Sequence, residues 1–224
     1  MEIILDTANL EEIRHYNDYY EITGVTSNPT ILSKEKDPDF WRRLDKIKEI
    51  IGDKELHVQV TARDFEGMMR ETEVLADHFG KEIYVKIPVN EEGLKTIKFA
   101  HKAGYRTTAT AIYSAQQAML ATVCGADYLA PYYNRMSSIN MDAGLMIRQT
   151  SSLIDKYGYK TKIVAASFKN VGQIMDALLS GAHAVTATPS LYRQMVTSPV
   201  IEGAVDQFQR DWESVYGKNT IDAL

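Results

Sequence analysis

One lysine, Lys86, stands in the middle of IYVKIPV, an otherwise apolar run over residues 83–89. An ammonium is among the costliest groups to bury in such a run, so it either escapes to solvent or is held by a fold built for it. Strand alternation places Tyr84, Lys86 and Pro88 on one face and Ile83, Val85, Ile87 and Val89 on the other. The aliphatic face suits packing against helices, which turns Lys86 towards a sheet interior. An ordinary lysine, with a pKa of about 10.4, is almost never neutral at pH 7. Desolvation that lowered it to about 7–8 would change the balance by roughly 3–5 kcal/mol. A neutral amine so placed can attack a carbonyl and form a Schiff base, whose iminium is an electron sink for breaking a carbon–carbon bond. The other reading of the same residue is a structural ion pair between Lys86 and Asp6.

Polar groups recur at the ends of the other apolar runs: Asp6, then Thr26, Ser27 and Asn28, then Gln59, Thr110, Tyr132, Ser167, and Thr186 or Thr188. Taken singly, Asp6, Asn28 and Ser167 read as helix caps; their convergence on the ends of successive strands points to a shared site. In LHVQVT, alternation sends His57, Gln59 and Thr61 inward with Lys86. Five scattered histidines and the lone Cys124 show no metal-ligand spacing, so neither a metal nor another cofactor is expected.

The elements that must position these groups alternate. The runs EIILD, ITGVTSN, ELHVQVT, IYVKIPV, YRTTATAI, ADYLAPY, TKIVAAS and HAVTATP read as eight strands, and each gap between them holds a helix-like segment. In DPDFWRRLDKIKEIIG, Asp37 is expected to cap and Pro38 to sit in the first turn. In SAQQAML, Ser114 and Gln117 have capping-box spacing. NEEGLKTIKFAHKAG and KNVGQIMDALLSGA close on or near glycine, as helices often do. Eight units in 224 residues average 28 each, which fits a single-domain (β/α)8 TIM barrel over residues 1–224 better than an open doubly wound sheet. A helix over about 200–217 puts Ile201, Val205, Phe208, Trp212 and Val215 on one stripe and exceeds what closing a barrel needs. Cys124 reads as a small buried hydrophobe, and Tyr133, opposite in parity to Tyr132, as structural.

The chain is 45% hydrophobic and 25% charged with a net charge of −5, and its basic residues form no stripe. That composition suits a soluble globular protein and gives no reason to expect nucleic acid. No membrane span or signal peptide is evident, and a single cysteine suits a reducing cytoplasm.

The motifs LDTANLEEI, GVTSNPTIL, VKIPV, TTATAIYSAQQA, APYYNR and AASFKN, in this order and spacing, resemble the transaldolase family across essentially the whole chain. They are most similar to its short bacterial branch of fructose-6-phosphate aldolases and transaldolase-like proteins. The resemblance implies a (β/α)8 barrel with a metal-free, class I aldol mechanism. It implies that Lys86 is the Schiff-base lysine and that Asp6 steers protons. Asn28 and Thr110 would bind the dihydroxyacetone unit and a catalytic water. Arg135 and Ser167 would hold phosphate, with Lys169 where longer transaldolases carry an arginine. Gln59 and Tyr132 stand where transaldolases proper have glutamate and phenylalanine, which implies cleavage of fructose 6-phosphate to dihydroxyacetone and glyceraldehyde 3-phosphate. The alternative is transaldolase transfer between sugar phosphates such as sedoheptulose 7-phosphate and erythrose 4-phosphate; a remoter one is a non-catalytic phosphosugar-binding barrel. The stretch Thr186–Met195 departs from the expected pattern, so an altered rim is expected there. The resemblance also implies a ring-shaped homo-oligomer, such as a decamer, with the last helix against a neighbouring subunit.

Overall fold

Eight strands pair in chain order and close on themselves: β1 (Glu2–Asp6), β2 (Gly24–Thr26), β3 (Glu55–Gln59), β4 (Tyr84–Pro88), β5 (Arg106–Ile112), β6 (Tyr128–Pro131), β7 (Lys162–Ala165) and β8 (Ala184–Ala187). All pairings are parallel, and β1 meets β8 with Glu2 opposite Ala184. The computed structural model describes residues 1–223, which pack as two compact units, Met1–Pro189 and a second beginning at Ser190.

Each crossover in the first unit is helical: α1 (Leu10–Tyr19), α2 (Pro29–Lys34) and α3 (Phe40–Ile51), then α4 (Phe65–Phe79), α5 (Glu91–Lys102) and α6 (Ala115–Val123), then α7 (Tyr133–Ser138), α8 (Ala143–Tyr157) and α9 (Val171–Leu179). Strand alternation divides the apolar side chains as parity requires. Leu5, Val25, Val58, Val85, Ile87, Leu129 and Ile163 are fully buried on one parity. Ile4, Tyr84, Tyr128, Ala130, Val164 and Ala184 of the other parity form one buried cluster inside the barrel.

Two starts differ in detail from the sequence expectation. The cap of α3 is Asp39, whose carboxylate accepts from Arg42 N–H at 3.0 Å, so Pro38 lies outside the helix. Asp37 instead takes the guanidinium groups of Arg42 and Arg43, because Asp39 stands nearer the first free N–H groups of the turn. Ser114 does cap α6, but the Gln117 amide oxygen reaches back to Tyr113 N–H, one residue further upstream. Cys124 is half-buried at the end of α6 rather than sealed in the core.

Helix α5 is drawn tightly against the end of β4. A Cβ on Gly93 would lie 1.9 Å from the Pro88 carbonyl oxygen, so only glycine lets the first turn approach the strand that carries Lys86. Near the same end of the barrel, the β5–β6 register shifts between Ala109 and Ile112, with Ala111 at φ +58°.

The second unit consists of the rest of α10 (Pro189–Val196), then α11 (Pro199–Tyr216) and a 3₁₀ turn at Ile221–Ala223. Ser198 caps α11, and Val205, Phe208 and Val215 on its apolar stripe are largely exposed. No helix among the described residues is long and apolar enough to cross a membrane.

Candidate active site

Lys86 is where alternation puts it, inside the barrel and only 5% exposed. Its Nζ donates to the Ser27 carbonyl just past β2 at 2.7 Å, and among the described residues it forms no ion pair. The direct Lys86–Asp6 pair considered from the sequence is thus not made, although the two groups feel each other's charge. Burial pushes the Lys86 ammonium below its ordinary value, and Asp6 only opposes that fall. Burial likewise pushes the Asp6 carboxyl up, against Lys86, a hydrogen bond from Thr26, and Lys34. Both groups are moved towards neutrality.

Asp6, ending β1, accepts from Thr26 Oγ1 at 2.8 Å, and Thr26 Oγ1 lies 2.6 Å from Thr186 Oγ1. Since the Thr26 hydrogen goes to Asp6, Thr186 donates to Thr26. This hydroxyl chain ties β8, β2 and β1 together beneath the carboxyl. None of its three members serves as a helix cap; the cap of α1 is Asn9.

On the opposite wall, Tyr132 follows directly on β6, and its hydroxyl lies 3.1 Å from Thr110 Oγ1 at the bulged end of β5. Arg135, one turn into α7, places its guanidinium 4.8 Å from the Tyr132 ring centroid. Arg135 Nη1 also donates to the Tyr113 hydroxyl at 3.3 Å, a bond that raises the already high pKa of the guanidinium. The Tyr113 ring meets Tyr132 edge-on at 5.6 Å, so Tyr113 braces both. Arg135 itself remains exposed and able to meet an anion. Tyr133 opens α7 rather than continuing the strand, and is buried with its hydroxyl on Asp176, as a structural residue would be.

Gln59 is the register partner of Lys86 across β3 and β4. It borders a cavity of about 330 Å³ whose lining includes Pro29, Arg63 and Asn90. Asn28 Oδ1 caps α2 by accepting from Ile31 N–H at 3.0 Å, which leaves its amide NH₂ as a donor for a ligand. Ser167 follows β7 in the left-handed region at φ +64°, a conformation that costs a non-glycine residue about 1–2 kcal/mol. Lys169 is exposed; its backbone N–H is held by Gln173, while its ammonium has no partner among the described residues. The structure thus joins Asp6 to Thr26, and Tyr132 to Thr110 and Arg135, and sets Gln59 beside Lys86. It draws no direct bond from Arg135 to Ser167 or Lys169. Tyr113 was not legible as a site residue, although it directly follows the TTATAI run.

A buried amine without a contact counterion, a carboxyl raised towards neutrality and a paired hydroxyl can together add an amine to a carbonyl and move protons around the adduct. Residues 3–220 match the family described as Transaldolase/Fructose-6-phosphate aldolase. The chain belongs to that family. It is therefore an enzyme of the aldolase and transaldolase type. The probable fructose-6-phosphate aldolase of Streptococcus pneumoniae (strain ATCC 700669 / Spain 23F-1) is 45% identical over 222 residues, covering 99% of this chain and all of that relative. The solved structure of native KDPGal superposes with a TM-score of 0.58 at 13% identity, over 83% of this chain and 80% of its own, a likeness of fold alone.

Proposed function

We propose that this enzyme is a Schiff-base aldolase that cleaves fructose 6-phosphate reversibly into dihydroxyacetone and glyceraldehyde 3-phosphate. The observation that carries the reading is Lys86: a buried amine held by one carbonyl, with no carboxylate in contact to lock it as an ammonium. The neutral amine attacks the substrate C2 carbonyl, and loss of water leaves the iminium on Nζ. A base takes the C4 hydroxyl proton as the C3–C4 bond breaks; the bond's electron pair enters the iminium, the C4 oxygen becomes the aldehyde, and glyceraldehyde 3-phosphate leaves. Protonation at C3 and hydrolysis free dihydroxyacetone and regenerate the amine.

Asp6, with its carboxyl raised towards neutrality, can take up and return protons in this sequence. Tyr132, hydrogen-bonded to Thr110 and with Gln59 on the strand beside Lys86, protonates the carbanion. The Asn28 amide holds the dihydroxyacetone hydroxyls. Arg135 binds the substrate phosphate, assisted by Ser167 and by Lys169 as a point charge without arginine's bidentate fork. The pairing of Gln59 with Tyr132 favours protonating the carbanion over delivering it to a second aldehyde.

The test is product release from fructose 6-phosphate with and without erythrose 4-phosphate. Free dihydroxyacetone appears without an acceptor if the reading holds; turnover strictly dependent on erythrose 4-phosphate replaces it with transaldolase. The exposed apolar stripe of α11 supports a homo-oligomer in which this helix seats on a second copy, as a ring of subunits would provide. A cytoplasmic site of action fits the single, unbridged cysteine.

A further inference from the structure

Below the layer of Lys86, the barrel interior holds polar groups that the aldol chemistry above does not use. His57 on β3 is fully buried. Its ring stacks on Tyr84 at 4.6 Å and meets Tyr128 edge-on at 5.3 Å. Nε2 lies 3.3 Å from Glu55 Oε2, and Nδ1 lies 2.8 Å from Thr108 Oγ1. A carboxylate can only accept, so the neutral imidazole carries its proton on Nε2 and points it at Glu55. Nδ1 is then an acceptor, and the Thr108 hydroxyl must donate to it. Thr108 is in turn the register partner of Lys86 on the neighbouring strand.

The dipoles therefore line up: carboxylate at the base, imidazole with its N–H downwards, hydroxyl with its hydrogen downwards and its oxygen lone pairs turned away from the floor. We propose that Glu55 and His57 act as positioning residues for the reaction by orienting the Thr108 hydroxyl, whose negative end then favours the cationic iminium on Lys86. This inference rests on the Schiff-base reading above. Burial outweighs the charged groups around His57 and keeps the ring neutral. Desolvation holds the imidazole below its ordinary pKa against the opposing pull of Glu55 and Glu2, and Lys86 on β4 adds to the fall. Glu2 on β1 is itself engaged by Tyr128 from β6 and Lys162 from β7. Protonating His57 would give Nδ1 a hydrogen, reverse the Thr108 hydroxyl and add a positive charge near the iminium.

The test compares Thr108→Val, Thr108→Ser, His57→Phe and the Thr108→Val/His57→Phe double variant on fructose 6-phosphate. It reads kcat, KM and the fraction of Lys86 trapped by borohydride at saturating substrate. Valine keeps the shape of threonine without the hydroxyl, and phenylalanine keeps the stacked ring without its nitrogens. Thr108→Val and His57→Phe are each expected to lower kcat and trapping by about tenfold, the worth of roughly one oriented hydrogen bond. KM should stay within about twofold. The double variant should lose no more than either single change, because the groups act as a unit. Thr108→Ser should recover most of the loss. Kinetics of the valine and phenylalanine variants indistinguishable from wild type, losses that multiply, or a serine variant as impaired as valine would each overturn the inference. If His57→Phe does not fold, the valine and serine pair at 108 decides. Failure of the wild type to yield any Lys86 adduct would remove the Schiff-base reading and this inference together; normal wild-type trapping with unaffected variants would remove the inference alone.

Discussion

Replacing Tyr132 with phenylalanine removes one oxygen and leaves the ring, with its contacts to Arg135 and Tyr113, in place. The lost hydroxyl is the hydrogen-bond partner of Thr110, 3.1 Å away, and Thr110 is fully buried. Stranding a buried hydroxyl costs about 1–3 kcal/mol. In a domain of this size that corresponds to a fall in Tm of about 2–4 °C per kcal/mol. The variant should therefore fold and can be assayed at 25 °C. Its chemical defect should be far larger. A positioned acid or base contributes about a hundredfold to ten-thousandfold, so dihydroxyacetone release from fructose 6-phosphate should fall by that factor. Formation of the iminium should persist, because Lys86 lies on β4 and its Ser27 contact just past β2, away from Tyr132. With erythrose 4-phosphate present, a carbanion that is protonated slowly has time to meet an acceptor, so the ratio of transfer to release should rise. Coupled assays for free dihydroxyacetone and for the transfer product, run in parallel, read both. Release within about threefold of wild type, or an unchanged product ratio, would refute the role given to Tyr132.

Lys86→Met should abolish turnover while leaving the fold intact. Because burial lowers the Lys86 pKa, the unfolded chain holds more protons between that lowered value and the lysine's ordinary 10.5. Wild-type stability thus gains a contribution as pH rises through this window, which the methionine variant lacks; denaturant titrations from pH 7 upwards should show the stability difference shifting in favour of wild type, and a pH-independent difference would contradict the burial argument. Gly93→Ala should destabilise the barrel by about 1–3 kcal/mol, because the new methyl meets the Pro88 carbonyl; an unchanged Tm would disprove the close approach of α5. Phe208→Asp places a charge on the exposed stripe of α11 and should lower the mass measured by light scattering while leaving the far-ultraviolet circular dichroism unchanged; the same mass for both proteins would count against the stripe as a subunit contact.

The direction in which Lys86 points was legible because strands repeat every two residues, so one apolar face identifies the other. The eight strands and their helices were legible for the same reason, as each element carries its own period. What alternation cannot report is which groups meet across the closed barrel. The Thr186–Thr26–Asp6 chain joins strands 160 residues apart in sequence, and depends on the stagger of closure. The left-handed conformations at Ala111 and Ser167 fall on residues that do not advertise them, as glycine or asparagine would have done. Asn28 shows how one residue can satisfy two readings: its oxygen caps α2, as its type and position suggested, and its amide is still free for a ligand. Asp37 shows the opposite case, where a competing carboxylate two residues later takes the cap.

The central claim is that a covalent iminium forms on one lysine among many. Borohydride reduction in the presence of fructose 6-phosphate, followed by peptide mass analysis, addresses it directly. The account predicts a substrate-dependent reduced adduct on Lys86 and loss of activity in proportion to its formation. Full inactivation with the adduct on another lysine, or continued turnover with no adduct at all, would contradict it.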